Sequence, residues 1–410
     1  MSGNWEKLKI KEFTKVLSGG TPKSSMKEYY EGGTIAWVTP SDLTGYNKQF
    51  IRKGKRNITN LGLEKSAAKL LPAGTVLFSS RAPIGHVVIA ENELTTNQGF
   101  KNILPSPMHN PKYLYWYLKS VKDEIEFRAS GTTFKEISAS EMNEIEVPLP
   151  SLEEQTKIAA VLDKAQALIE KRKESIAKLD ELLKSRFGEM FGDPINNPKG
   201  WEVKKLKTIS KKILSGNTPK GGSEVYVDEG IMFFRSQNVW KNKLVLDDIA
   251  YIDKETHDKM GKSSLRNRDI LMTKTGRINT ENSSLGRAAM FLGEDDSANI
   301  NGHVYLIRLQ KEIVHEFVLF ILTTDEYREY IRSVCVGGID KRQINKEHLE
   351  EFPIILPPIK LQNQFSDFVK QVNKLKFEME AHLKEIENNF NALLQQAFKG
   401  ELSIKDEINA

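Results

Sequence analysis

The sequence is short of several things, and each shortage excludes a class of protein. It has a single cysteine, Cys335, among 410 residues. One thiol cannot build an internal disulfide framework or a multi-cysteine zinc site, and such usage suits a reducing compartment. No apolar run approaches the roughly 20 residues of a membrane-spanning helix; the best are short, such as Phe317 to Leu322. The opening Met1-Ser2-Gly3-Asn4-Trp5 lacks the basic and apolar regions of a secretion signal. A cytoplasmic protein is expected.

Catalytic signatures are scarce too. Gly261-Lys262-Ser263-Ser264 resembles the end of a phosphate-binding loop, yet Thr256 stands where its first glycine is required. No strand is followed by Gly-x-Gly-x-x-Gly, no His-Glu-x-x-His is present, and the seven histidines are scattered. An Asn or Asp followed by Pro-Pro-aromatic, a methyl-transfer signature, is missing, because Pro357-Pro358 lacks both flanking residues. A nuclease carboxylate cluster would leave no linear trace. The residues therefore assign no catalytic group, cofactor or metal to this chain.

Charge of one sign is also modest, with 60 basic against 55 acidic residues and a net charge of +5. Its distribution says more than its sum. Residues 151–190 are neutral overall and residues 358–410 carry −1, so the surplus lies in the rest of the chain. That places a polyanionic partner, if any, on the rest.

What is present is the same text twice. Trp5-Glu6 recurs as Trp201-Glu202, and Leu17-Ser18-Gly19-Gly20-Thr21-Pro22-Lys23 recurs as Leu214-Ser215-Gly216-Asn217-Thr218-Pro219-Lys220. Ile35 to Val38 is answered by Ile231 to Phe234, Val76 to Phe78 by Ile270 to Met272, and Val147 to Pro150 by Ile354 to Pro357. Gln155 and Gln362 follow shortly after. Such matches in the same order mean that the two halves share one fold. Each half opens with short β-rich runs such as Thr34 to Val38, Thr75 to Phe78 and Val87 to Ala90, with short helices at Tyr113 to Val121 and Glu316 to Leu322. Asp193-Pro194, between the copies, reads as a linker.

Each half closes with a helix of about 40 residues that follows a proline suited to opening it. In the first, Ile158, Leu162, Ala165, Ile169, Arg172, Ile176, Leu179, Leu183 and Arg186 follow a 4-3 alternation; in the second, Phe365, Val369, Val372, Lys376, Met379, Leu383, Ile386, Phe390, Leu393 and Ala397 do. Such a seam must pack on another helix. Pairing of the two helices is the economical solution, and a separate partner protein for each is the alternative. Arg172, Lys376 and Arg186 interrupt the seam and are read as snorkelling to water rather than fixing register. The expected fold class is α+β: two similar mixed domains, 1–150 and 193–357, joined by long helices in 151–192 and 358–410 that form an antiparallel coiled coil with pseudo-twofold symmetry.

The polar loops suit nucleic acid. Ser18, Gly19, Thr21 and Lys23, matched by Ser215, Asn217, Thr218 and Lys220, combine glycine amides, hydroxyls and an ammonium that suit phosphate contact. After the aromatic strand the copies diverge: Thr39, Ser41 and Asp42 face Arg235, Ser236, Gln237 and Asn238. Arginine pairs bidentately with guanine, and Gln or Asn with adenine. Divergence recurs at Ser80 and Arg81 against Lys274, Thr275, Arg277 and Asn279. It recurs again at Asn97 and Gln98 against Asn301 and His303, and at Lys135 against Lys341 and Arg342. Trp37 and Phe233 flank apolar strand residues and read as core.

On these features the sequence resembles the specificity (S) subunit of type I restriction–modification enzymes. The residues that carry the likeness are the paired Leu-Ser-Gly-x-Thr-Pro-Lys loops, the Trp-Glu openings and the stretch Pro148 to Gln155. Phe191-Gly192-Asp193-Pro194 and the ending Leu393 to Leu402 complete it. The resemblance covers essentially the whole chain. It implies two target-recognition domains, each reading one half of a split, asymmetric DNA site. It also implies two long helices that hold them apart and dock methyltransferase (M) subunits. S-adenosylmethionine then belongs to the M subunits, which methylate adenine, and ATP to restriction (R) subunits. The S subunit itself has no catalytic residues and no cofactor, and its first segment is expected near the end of the second long helix. A stand-alone nuclease or methyltransferase with unrecognised motifs, or a non-enzymatic scaffold or orphan DNA-binding protein, is the alternative.

Overall fold

A computed structural model describes residues 5–81, 83–130, 135–278, 280 and 282–402. The chain divides into two compact units: residues 1–174 with 381–410, and residues 175–380. Each long helix contributes one half to each unit.

In unit 1 short, mostly apolar runs build a five-stranded sheet in the order Val16–Ser18, Phe100–Ile103, Val76–Ser79, Val87–Ala90, Phe50–Ile51. Its central strands are buried throughout, and Val76, Phe78, Ile89 and Ile103 face the helix Pro111–Ser120 in one core. That helix starts where the sequence dictates: Pro111 supplies a preset φ, and the Asn110 side chain accepts from the amides of Lys112 and Tyr113. A three-stranded sheet, Arg56–Ile58, Ile35–Val38 and Thr95–Thr96, lies beside it. Lys7–Lys9 pairs antiparallel with Glu146–Pro148, closing the start of the unit onto the end of its globular part.

Unit 2 repeats this plan. Ser210–Ser215, Val304–Leu309, Ile270–Thr273 and Ala288–Met290 form one sheet, with Tyr226–Val227, Ala250–Ile252, Ile231–Phe234 and Ala298–Ile300 as a second. Val203–Lys205 pairs with Pro353–Ile355 as Lys7–Lys9 does with Glu146–Pro148. Trp37 and Phe233 are buried in the two small sheets. Within this unit Arg308 grips Asp269 with Nε to Oδ1 at 2.8 Å and Nη2 to Oδ2 at 2.6 Å, and the carboxylate is buried.

The long helices are Leu152–Phe191 and Ile359–Lys399, each about 60 Å at 1.5 Å per residue. Ser151, rather than the proline before it, caps the first by accepting from the Glu154 amide at 3.3 Å. The two recurring glutamines have a shared physical reason. Gln155 donates to Pro150 O and Met108 O, and Gln362 to Pro357 O, so each side chain staples its helix to the proline that precedes it.

Within unit 1, Ile158 and Leu162 share a core with Ala397, and Phe390 and Leu393 pack against it. Ile169 is buried and Ala165, Leu383 and Ile386 are half-buried. Lys173 meets Glu387 at 3.0 Å, and Trp5 and Leu8 join the core that holds Phe398 and Leu402. Within unit 2, Leu183 packs with Val369, Val372 and Phe365, with Leu179 against them; Ile176 and Met379 are half-buried. In both units the facing residues rise along one helix as they fall along the other, so the helices are antiparallel.

The structure corrects the seam at three points. Lys376 does not snorkel; it bonds both carboxylate oxygens of Asp180 and bridges the two helices. Arg186 is exposed and pairs with Glu189 on its own helix. The buried row after Leu183 continues through Phe187 and Phe191, because the globular helix His315–Leu322 packs on that face and its Phe317 and Phe320 contact Phe187. Asp193-Pro194 is also more than a linker: Asp193 accepts from the amides of Ile195 and Asn196 after Gly192, at φ 79°, has ended the helix.

Candidate nucleic-acid interface

In unit 1 the polar loops meet at the ends of neighbouring strands. The loop from Ser18 to Lys23 lies on the turn at 96–98: Gly20 donates to Thr96 O at 2.9 Å, and the Thr21 hydroxyl bonds the Gln98 carboxamide. Asn97 donates its N–H to Val38 O at 3.0 Å and accepts from the Gly99 amide on its side chain at 2.9 Å. Thr39 follows Val38; its hydroxyl lies 2.8 Å from that of Ser41, and Asp42 caps its amide. Ser80 donates to Gly99 O and accepts from the Ile137 amide, which brings Arg81, Lys135 and Glu136 to the same place.

Unit 2 builds the same frame from different side chains. Ser215 bonds Gly302 O at 3.0 Å, Asn301 donates to Phe234 O at 3.0 Å and accepts from the His303 amide, and Ser236 bonds His303 O at 3.3 Å. Lys274 donates its amide to His303 O and accepts from that of Ile344. Thr275 to Arg277 then pairs with Lys341 to Gln343, so Arg277 stands opposite Lys341, with Asp340 3.2 Å from its guanidinium. Arg235 bonds Asp248 and lies over the Tyr226 ring at 5.7 Å, and the Gln237 amide reaches Asp248 at 3.0 Å. Gln237 and Arg235 together hold the Asp248 carboxyl below its ordinary pKa.

Three expected contact residues are structural instead. Asn238 is 1% exposed; its amide donates to Val245 O and Asp248 O and its oxygen accepts from Arg235, so nothing remains for a base. Ser80 is buried and its hydroxyl is taken up by Glu136 and Lys101. Gly19 is buried too, and a Cβ there would stand 2.0 Å from Asn97 O. The glycines therefore serve close backbone approach: the Gly20 and Gly216 amides are spent on Thr96 O and Val304 O. Asn279 lies outside the described residues. Ser18, Thr21, Lys23, Ser41, Gln98, Lys135, Asn217, Thr218, Lys220, Gln237, Arg277, His303 and Lys341 are exposed. Thr39, Arg81, Asn97, Ser215, Arg235, Ser236, Lys274, Thr275, Asn301 and Arg342 are half-buried at the same rim.

Some residues at this rim carry no sequence signal. Lys101 and Glu136 form a 2.9 Å ion pair beneath Arg81. Arg56 lies 4.1 Å from the Tyr30 ring, and Arg287 lies 3.8 Å from that of the exposed Trp240. These cations and rings are far apart in sequence, and only the folded chain brings them together. Among the described residues, no cluster of His, Cys, Asp or Glu is arranged to hold a metal, and no helix is long and apolar enough to cross a membrane.

Comparison with known proteins matches both copies. The model of the type I restriction modification DNA specificity domain fits residues 2–181 and again 198–388. The chain is 32% identical to the type I restriction enzyme MjaIX specificity subunit of Methanocaldococcus jannaschii, over 98% of this chain and 94% of that one. It is 26% identical to the EcoR124I/EcoR124II specificity subunit of Escherichia coli, over 45% of this chain and 46% of that one. Among solved structures, the S subunit of a type I restriction–modification system from M. genitalium shares the fold at a TM-score of 0.54 and 17% identity, over 98% of this chain and 97% of that one. A chain from work on complex assembly and conformational transition of the type I system does so at 0.61 and 18%, over 98% and 99%. A duplicated frame with different side chains at its rim, matched twice by one domain model and end to end by a relative, has one reading: the chain belongs to the specificity subunits of type I restriction–modification enzymes.

Proposed function

We propose that this chain is the DNA-reading subunit of a type I restriction–modification complex. Each unit reads one half of a bipartite, asymmetric duplex site, and the long helices set the half-site spacing and dock methyltransferase subunits. Restriction subunits join the complete assembly. Methyl transfer and cleavage belong to these partners, as do S-adenosylmethionine and ATP, and this chain contributes recognition without catalysis.

One observation carries the reading. The two units place different side chains on the same backbone positions of the rim: Thr39 against Arg235, Ser41 against Gln237, Arg81 against Thr275, Glu136 against Gln343. A frame kept constant while its tips change is what two readers of different words require. Exposed Lys23, Lys135, Lys220 and Lys341 beside those tips supply phosphate contacts that fix orientation without carrying sequence information.

The test is selection from a randomised duplex library by the full chain, followed by mapping of methylated sites when the methyltransferase is added. A two-part word is expected, with no methylation or cleavage by this chain alone. A seven-residue insertion after Glu174 and another after Glu380 keeps the seam in phase and adds about 10.5 Å to each helix. The preferred spacer then grows by about three base pairs at roughly 3.4 Å each. Sequence-independent binding, activity without partners, or an unchanged spacer contradicts the corresponding part of the proposal.

A further inference from the structure

We propose that Lys101 and Glu136 set the word read by unit 1 by positioning Arg81; the inference rests on the DNA-reading role above. Lys101 sits on the strand Phe100–Ile103, paired on both sides by Val16–Ser18 and Val76–Ser79, and is only 5% exposed. Its ammonium donates to Glu136 Oε1 at 2.9 Å and to Ser80 Oγ at 3.3 Å, and the Ser80 hydroxyl meets the same Oε1 at 3.3 Å. The second carboxylate oxygen, Oε2, faces Arg81 Nη1 at 3.7 Å.

Each link constrains the next. A buried ammonium is tolerated only when paired, so Glu136 cannot swing away without stranding that charge. The carboxylate pinned from beneath presents its other oxygen to a guanidinium at the rim, where Arg81 and Glu136 are both about a third exposed. Bidentate reading of guanine O6 and N7 needs a guanidinium held in one plane. A long side chain left loose in solvent must be ordered when it binds, which weakens it as a reader. Glu136 holds one edge of the fork and leaves the other for a base. Arg81 is then the base-reading residue, and Glu136 and Lys101 are positioning residues.

At the matching positions unit 2 carries a different arrangement. Strand pairing puts Tyr305 where Lys101 stands and Lys274 where Ser80 stands, and the neutral Gln343 replaces Glu136. The Lys274 ammonium lies 5.6 Å from the Tyr305 ring, whose hydroxyl donates to Ile344 O at 2.9 Å. One frame thus carries an anion-held guanidinium in unit 1 and a lysine over a ring in unit 2.

The experiment repeats the duplex selection with the full chain as wild type, Arg81→Ala, Glu136→Gln, and the double variant Lys101→Met with Glu136→Gln. The double variant removes both charges, so it strands neither, and thermal melts verify that each variant is folded. All three variants are expected to lose about tenfold or more discrimination for guanine at one shared position. The rest of that word and the whole of the other word are kept. Glu136→Gln or the double variant leaving that position intact overturns the inference. Even weakening across every position of the word does so as well, because that is the signature of a purely structural role. A wild-type chain that selects no two-part word defeats the DNA-reading proposal itself, a result distinct from either.

Discussion

Lys376 donates to both carboxylate oxygens of Asp180, 2.7 Å to each, from one long helix to the other within unit 2. The other seam positions of its own helix, from Phe365 to Ala397, are apolar, so a shift of register by one turn would leave the ammonium facing Ile176 or Leu183. Asp180→Ala is expected to lower the unfolding free energy by about 0.5–1 kcal/mol, as for a pair half open to solvent. The effect should shrink in high salt, where exposed charges are screened. Urea denaturation of Asp180→Ala, Lys376→Ala and the double variant at two ionic strengths gives the coupling. A coupling of zero at low salt removes the pair from the account of register.

Gly19 and Gly216 occupy matching positions, and both are forced by crowding. A Cβ at Gly19 would lie 2.0 Å from Asn97 O, and one at Gly216 would lie 2.3 Å from Ile300 O. Backbone cannot yield there as a flexible side chain would. Gly19→Ala and Gly216→Ala are each expected to cost about 3 kcal/mol or more by overpacking. Lys23→Ala and Lys220→Ala, on exposed loop positions beside them, should change stability by less than about 0.5 kcal/mol. The lysine variants should instead weaken duplex binding evenly over all sequences and reduce the salt slope by about one. Denaturation and a salt titration of binding separate the two classes.

Much of this fold is legible in the sequence because two strong signals repeat. The seven-residue stretch Leu17 to Lys23 and its echo Leu214 to Lys220 fix the duplication, and the heptads from Ile158 and Phe365 fix the long helices. The seam reading slips where globular packing competes with the heptad. Arg186 continues the 4-3 alternation, but the aromatic rings of Phe317 and Phe320 draw Phe187 into the core instead. The rim is less legible for a related reason. Polar residues at a turn either face solvent or satisfy the backbone, and the linear pattern of Asn238 is the same in both cases. Lys101 reads as an ordinary strand lysine until pairing with Val76–Ser79 places Ser80 and Glu136 over it.

Asn238 and Gln237 are adjacent and polar, and their substitution should have opposite consequences. Asn238 satisfies three backbone groups from a buried position, whereas Gln237 is exposed and touches Asp248. Asn238→Ala is expected to cost about 2–3 kcal/mol, since the Arg235 amide and the carbonyls of Val245 and Asp248 lose their partner. Gln237→Ala should leave the melting curve almost unchanged and alter only the word selected by unit 2. A Gln237→Ala chain that melts early, or one that selects an unaltered word, would contradict this assignment.

His109 gives unit 1 a pH dependence with a defined sign. Its ring is buried, stacks edge-on with Phe13 at 5.5 Å and contacts Ser106 Oγ through Nδ1 at 3.0 Å, and its Nε2 has no partner among the described residues. Burial pushes its pKa from 6.5 down to about 4. Well above pH 6.5 the imidazole is neutral whether the chain is folded or not, so it has no effect on the equilibrium. Between pH 6.5 and about 4 the unfolded chain takes up a proton that the folded chain refuses, and stability falls as pH falls. The loss approaches about 3 kcal/mol at the acid end, from roughly 1.36 kcal/mol per pKa unit. Other groups titrate in the same window, so the informative quantity is the difference between wild type and His109→Gln. That difference should be flat above pH 7 and narrow steadily below 6.5, measured by urea denaturation across the range. A gap that stays constant down to pH 4 would mean that the folded chain accepts the proton at His109 as readily as the unfolded one.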